Sequence, residues 1–184
     1  MSLPPSEIPL GAMRFNSDSQ KLEYWMGSAW MQIKTFSPNL DGGVRGFAAG
    51  GSNPGYTATV DFYTIPTQGN AADFGNLVGT ARQSHSACSN AVRGMINGGS
   101  PSTDEIAYIT IATLGDSIDF GDLTRNTEGS GAGASPTRAT VYGGGSSDEI
   151  VYYQIMTAGN ARDFGNLTQS ISETSGCSNG HGGL

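Results

Sequence analysis

Lysine is scarce in this chain of 184 residues. Lys21 and Lys34 are the only two, and nine Lys plus Arg stand against sixteen Asp plus Glu, for a net charge of −7. Binding to a phosphate backbone runs on clustered cations, so nucleic acid is not an expected partner. Cysteine is equally rare, with Cys88 and Cys177 alone, which excludes a disulfide scaffold. Charged residues reach only 14%, too few for disorder maintained by charge or for a long charged helical bundle. No apolar run approaches the ~18 residues that a spanning helix needs, so membrane insertion is not expected. The opening Met-Ser-Leu-Pro-Pro lacks a basic segment followed by an apolar one, and no secretory signal is expected. Sustained helical periodicity is missing as well. Glycine, by contrast, is abundant at 28 residues, roughly twice its usual share of ~7%. Together these features describe a soluble, acidic, all-β protein.

Internal repetition is the strongest feature present. Asp73-Phe74-Gly75, Asp119-Phe120-Gly121 and Asp163-Phe164-Gly165 recur at intervals of 46 and 44 residues, each followed by Asn or Asp and then Leu. A β-rich apolar run precedes each, at Val60–Ile65, Ile106–Ile111 and Ile150–Ile155. Further upstream stand Arg45 with Gly50-Gly51, Arg93 with Gly98-Gly99, and Arg138 with Gly143-Gly144. Ala87-Cys88-Ser89-Asn90 returns as Gly176-Cys177-Ser178-Asn179. Each unit reads as about four short strands, the last ending near Cys88 or Cys177. The glycine pairs permit tight bending and close backbone approach. One such sheet cannot bury its faces alone, so neighbours must stack on it. Units of this length with a glycine pair after an apolar strand resemble kelch repeats, the four-stranded blades of β-propellers. The kelch-type Trp is missing, and Phe74, Phe120 and Phe164 are expected to take its packing role. The expected domains are therefore residues 1–44, an attachment module with linker, and 45–184, a three-repeat β domain divided at about 45–91, 92–137 and 138–184. Three blades fall short of a ring. Either two chains pool them into a six-bladed dimer, the preferred reading, or the repeats pack as a β-prism, as in a trimer. Both predict a homo-oligomer.

Residues 1–44 lie outside the repeat yet hold both Trp of the chain. Turn clusters at Asn16–Ser19 and Gly27-Ser28 predict a three-stranded meander over Ala12–Phe15, Lys21–Trp25 and Ala29–Ile33. A meander this small is marginal alone and needs a surface to pack against. Phe15, Tyr24, Trp25 and Trp30 are its candidate docking residues. Thr35–Gly43 reads as a linker. The pattern Gly11-x-Met13-Arg14-Phe15-Asn16, then Leu22-Glu23-x-Trp25-x-Gly27-x-x-Trp30, resembles a segment of bacteriophage tail-fibre and other virion structural proteins. The Asp-Phe-Gly-Asn-Leu repeats are similar to those of phage virion proteins too. This resemblance implies a β-module near an attachment region, other virion proteins as partners, and location in the virion after assembly in the host cytoplasm.

Candidate chemistry is thin. Asp-Phe-Gly is also a metal-binding string of protein kinases, but here it occurs three times without a His-Arg-Asp loop or the accompanying Lys. Asp then caps a turn, Phe enters the core between repeats and Gly turns the chain. Asp104-Glu105 and Asp148-Glu149 follow Ser-rich turns, and the first unit has Thr57-Ala58-Thr59 in their place. They read as solvated turn residues rather than a cation site. His85 and His181 have no partner at ligand spacing. Cys88, Gly133 and Cys177 fall at one repeat position, which indicates a crowded packing slot and a buried thiol. Arg45, Arg93 and Arg138 are expected to pair with acids or carbonyls of a neighbouring unit. No catalytic residue, metal or cofactor is assigned. The expected function is a non-enzymatic virion structural protein, a tail fibre or capsid decoration. The alternative is a carbohydrate- or protein-binding module taking a host-surface glycan.

Overall fold

The computed structural model describes residues 8–17, 21–33 and 43–178, and no helix occurs among them. The linker expected at 35–43 falls almost entirely outside these residues, as does His181. Two compact units divide the chain, Met1–Pro38 and Asn39–Leu184.

In the first unit β1 (Met13–Asn16), β2 (Lys21–Trp25) and β3 (Trp30–Gln32) form an antiparallel meander. Its register sets Met13 opposite Tyr24 and Tyr24 opposite Met31. Strand alternation then puts Met13, Phe15, Leu22, Tyr24 and Met31 on one face.

Three antiparallel sheets make up the second unit. The first holds β4 (Arg45–Ala49), β5 (Thr59–Thr64) and β6 (Ala72–Asn76). The second holds β7 (Ser86–Ser89), β8 (Arg93–Asn97), β9 (Thr103–Thr110) and β10 (Ile118–Thr127). The third holds β11 (Gly131–Ala134), β12 (Arg138–Tyr142), β13 (Ser147–Gln154) and β14 (Arg162–Ile171). The all-β, repeated-sheet architecture follows the sequence pattern, but the grouping shifts by one strand. Ser86–Ser89, read from the sequence as the end of the first repeat, pairs with β8, setting Cys88 opposite Met95. The first sheet consequently has three strands and not four.

The Asp-Phe-Gly strings are β-bulges. Asp119 pairs with Ala107 and Gly121 with Ile106, which leaves Phe120 opposite no residue; Phe74 and Phe164 stand in the same position in their sheets. A bulge re-aims the extra side chain, and here it turns Phe toward the seam with the following sheet. The glycine after it takes φ between +143° and +150°, a region open to glycine and costly for other residues. A Cβ at Gly75 would come within 2.5 Å of Gly115 O, and one at Gly121 within 2.7 Å of Gly159 O, so each glycine also admits the loop of the next sheet.

Two hydrophobic seams result. Val60, Phe74 and Leu77 meet Ile96 and Ile109 between the first and second sheets. Met95, Ile106, Phe120 and Leu123 meet Val141, Val151, Tyr153 and Ile155 between the second and third. Phe120 sits edge-on to Tyr108 and tilted against Tyr153, with ring centroids 6.0 and 5.1 Å away. Phe74 and Phe120 are each 3% exposed, as expected for core residues. Phe164 departs from that expectation at 54% exposed, because no sheet follows the third among the described residues.

Candidate functional site

Two surfaces gather the residues singled out from the sequence. On the meander, Trp25 is buried and packs against Trp30, their ring centroids 5.4 Å apart. Arg14 lies over the Trp30 ring at 4.2 Å and donates through Nε to Glu23 Oε2 at 2.9 Å. Asn16 Nδ2 donates to Glu23 Oε1 at 3.0 Å. That hydrogen bond, reinforced by Arg14, holds the Glu23 carboxyl below its ordinary range against an opposing effect of burial. This face is internally satisfied. The opposite face exposes Met13, Phe15, Leu22, Tyr24 and Met31, all apolar or aromatic. Of the four aromatic candidates, Phe15 and Tyr24 therefore lie on the open face, whereas Trp25 and Trp30 build the closed one.

The other surface is a groove of about 240 Å³ where β7, β11 and the segment Gly176–Ser178 run together. Ala87, Cys88, Ser89, Ala132, Gly133 and Ala134, all small residues, form its walls. Ser178 Oγ closes one end by donating to Ala134 O at 2.7 Å. Cys88, Gly133 and Cys177, equivalent in the repeat, all line it, but Cys177 is exposed and not the buried thiol expected. Burial pushes the Cys88 thiol up to about 11, with hydrogen bonds to Tyr153 and Asn97 acting against it. At neutral pH it is a protonated thiol, a poor nucleophile. Burial also raises the Tyr153 phenol well above its usual value, and its hydroxyl donates to Asn97 Oδ1 at 2.6 Å.

The acidic pairs are not free turn residues. Glu105 lies in β9, with Oε1 3.0 Å from Nη1 of Arg82, a side chain with no solvent exposure. That contact is electrostatic and lies off the hydrogen-bond line, and the Arg82 nitrogens have no hydrogen-bond partner among the described residues. Glu149 in β13 takes a better-aligned bond from Arg125 Nε at 3.0 Å and one from Thr124 Oγ1 at 2.7 Å. Both arginines come from the sheet or linker preceding the glutamate's own sheet, so each pair spans a seam. His85 lies beside Gly50 and Gly99. Burial, and then the Arg82 charge, lower its pKa. No group of three or more His, Cys, Asp or Glu able to hold a metal ion occurs among the described residues.

The glycine pairs have a consistent task. The second glycine of each donates its N–H to a carbonyl at or beyond the end of its sheet's last strand: Gly51 to Arg82 O, Gly99 to Thr127 O and Gly144 to Ile171 O, at 2.9, 2.9 and 3.0 Å. Gly50, Gly98 and Gly143, the first of each pair, sit at φ of 59°, 60° and 64°. Sequence reasoning missed the arginine–glutamate clamps, because Arg82 and Arg125 stand at different distances from their Asp-Phe-Gly strings.

No protein-family model matches the chain, and no curated protein matches it. Among solved structures it is similar to that of YjhT, with 11% sequence identity and a TM-score of 0.59, covering 91% of this chain and 70% of that one. At this identity the likeness concerns the fold alone.

Proposed function

We propose that this chain is a non-enzymatic structural protein of a bacteriophage particle, a tail fibre or capsid decoration. In this reading the meander attaches to other particle proteins and the repeat region stands as a rigid β platform. The observation that carries it is the open face of the meander, where Met13, Phe15, Leu22, Tyr24 and Met31 are all exposed. A three-stranded sheet is marginal in water, and an apolar face on it favours a lasting partner of matching apolarity. The resemblance of the Gly11–Trp30 pattern to phage fibre modules supports a particle as that partner. The repeat region commits its polar groups to structure: Arg82 and Arg125 face Glu105 and Glu149, and the Cys88 thiol is held protonated.

Antibody-labelled negative-stain images of purified particles should show this chain, and a Phe15→Ser, Met31→Ser variant should be lost from them while still folding. Absence of the unaltered chain from purified particles overturns the reading. A second reading, a carbohydrate- or protein-binding module, draws support from the groove of about 240 Å³ along β7 and β11, which is lined by small residues. A glycan array separates the two, since a scaffold gives no signal and a groove binder loses its signal on Ser178→Trp.

A further inference from the structure

We propose that the uncovered face of the third sheet is an interface for the first sheet of a second copy of this chain, and that two copies close head to tail into a ring of six sheets. The inference is independent of whether the chain belongs to a particle.

The two seams inside the chain define what such an interface contains. Arg45 Nη1 donates to Ile111 O of the next sheet at 2.6 Å, and Arg93 Nη1 to Ile155 O at 2.8 Å. Gly115 N donates back to Phe74 O, and Gly159 N to Phe120 O, both at 2.9 Å. Ser117 N and Ala161 N donate likewise to Asn76 O and Asp122 O, at 2.8 and 2.7 Å. Finally, Asn76 N donates to Asp116 Oδ1, and Asp122 N to Asn160 Oδ1, at 2.8 and 3.2 Å. One pattern therefore joins the first sheet to the second and the second to the third.

The third sheet carries the outgoing half of this pattern unfilled. Arg138 stacks on Tyr152 as Arg93 stacks on Tyr108, yet reaches no carbonyl of a further sheet among the described residues. Phe164 stands in solvent, and a Cβ at Gly165 would meet nothing within 4 Å. The first sheet carries the incoming half. Gly69, Asn70 and Ala71 precede Phe74 at the spacing of Gly115, Asp116 and Ser117 before Phe120. Ile65 matches Ile111 and Ile155. Tyr63 and Ile65 are 45% and 60% exposed, whereas Ile109 and Ile155 at the equivalent covered positions are 2% and 0%. A second copy would thus supply Ile65 O to Arg138, and Gly69 N and Ala71 N to Phe164 O and Asn166 O.

Charge and strand count agree with this pairing. Each internal seam has an arginine–glutamate clamp, but the described stretch after Arg162 holds no arginine, and Thr59 replaces the glutamate in the first sheet. Joining these two faces therefore leaves neither half of such a clamp unpaired, and it brings Asp61 to the position that Ala107 holds in the second sheet. The first sheet also lacks the inner strand that β7 and β11 provide to the other two. Ser175-Gly176-Cys177-Ser178 repeats Ser86-Ala87-Cys88-Ser89, and its last three residues line the groove with β7 and β11. By the β7–β8 register, Ser178 of one copy would pair with Gly46 of the other and Cys177 with Phe47. Rings of such sheets typically hold about four to eight, and two copies of the three sheets described here fall in that range.

Native mass spectrometry of the full chain tests the proposal, with a species of twice 19.0 kDa expected. Phe164→Glu and Ile65→Glu alter side chains exposed in the single chain, so each should keep the β-sheet circular dichroism and lose the dimer. Mixing the two variants should restore a heterodimer, because one of its two seams is then unaltered. A monomeric or trimeric unaltered chain overturns the proposal. So does a dimer that survives both substitutions, or a mixture that fails to recover one.

Discussion

The second and third sheets share a sequence pattern and a bulge, yet Phe120 is enclosed while Phe164 lies open to solvent. The difference does not reside in the motif. The Asp-Phe-Gly bulge delivers an aromatic ring to a seam, and the following sheet decides whether that ring is removed from water. Stability in this architecture is therefore a property of neighbours, as it is in other repeat proteins. The clamps repeat the contrast: the Arg82 side chain is fully enclosed, whereas Arg125 and Glu149 remain about a third exposed.

The largest effect expected in this comparison is from Phe120→Ala, which should cost about 3–5 kcal/mol by emptying a packed seam. Phe164→Ala should cost less than about 0.5 kcal/mol in the isolated chain, as exposed substitutions do. Chemical denaturation at low protein concentration checks both. Equal losses would erase the distinction, and a Phe164→Ala loss that grows with concentration would place that ring under a second copy.

A smaller difference separates the glutamates. Glu105→Ala strands the enclosed Arg82 charge, and the loss should reach about 2–3 kcal/mol, below the ~3–5 of a wholly buried pair because Glu105 is partly solvated. Glu149→Ala should cost roughly 1 kcal/mol, since Arg125 keeps its bond to Gly143 O and can draw on water. Thermal melts of the two variants side by side resolve the pair.

A pH-dependent effect concerns Cys88. Its folded pKa of about 11 lies above the ordinary 9.0, so its contribution is complete below pH 9 and declines as pH rises toward 11. The buried Tyr153 phenol acts in the same direction. Midpoints measured across that window should fall with pH, and Cys88→Ala should make the fall shallower. An unchanged slope would remove Cys88 from the buried cluster.

Much of this architecture was legible in the residues. The meander strands lie within a residue or so of the positions that Asn16–Ser19 and Gly27-Ser28 predict, because turn chemistry is local. The phase of the repeat was not legible. A periodic sequence can be cut at any point of its period, and only the backbone bonds between Ser86–Ser89 and Arg93–Asn97 show where a sheet begins. The bulge was hidden for a related reason, since one extra residue interrupts alternation without changing composition. Asp104-Glu105 and Asp148-Glu149 looked like solvated turns because the arginine partners of the two glutamates, Arg82 and Arg125, stand nine and six residues after the Asp of their Asp-Phe-Gly strings. Among the candidate docking residues, alternation alone separates Phe15 and Tyr24 from Trp25, once the register of the three strands is known.

The bulge has one more consequence. Because each phenylalanine is the residue left over when the ladder is counted, deleting it would mend the strand rather than break it. The hydrogen-bond rungs would close up and the sheet would become more regular, while the stack would lose its rivet. Sheet formation and sheet stacking are thus written in separable letters, and a single-codon deletion should undo the stacking while leaving every sheet intact.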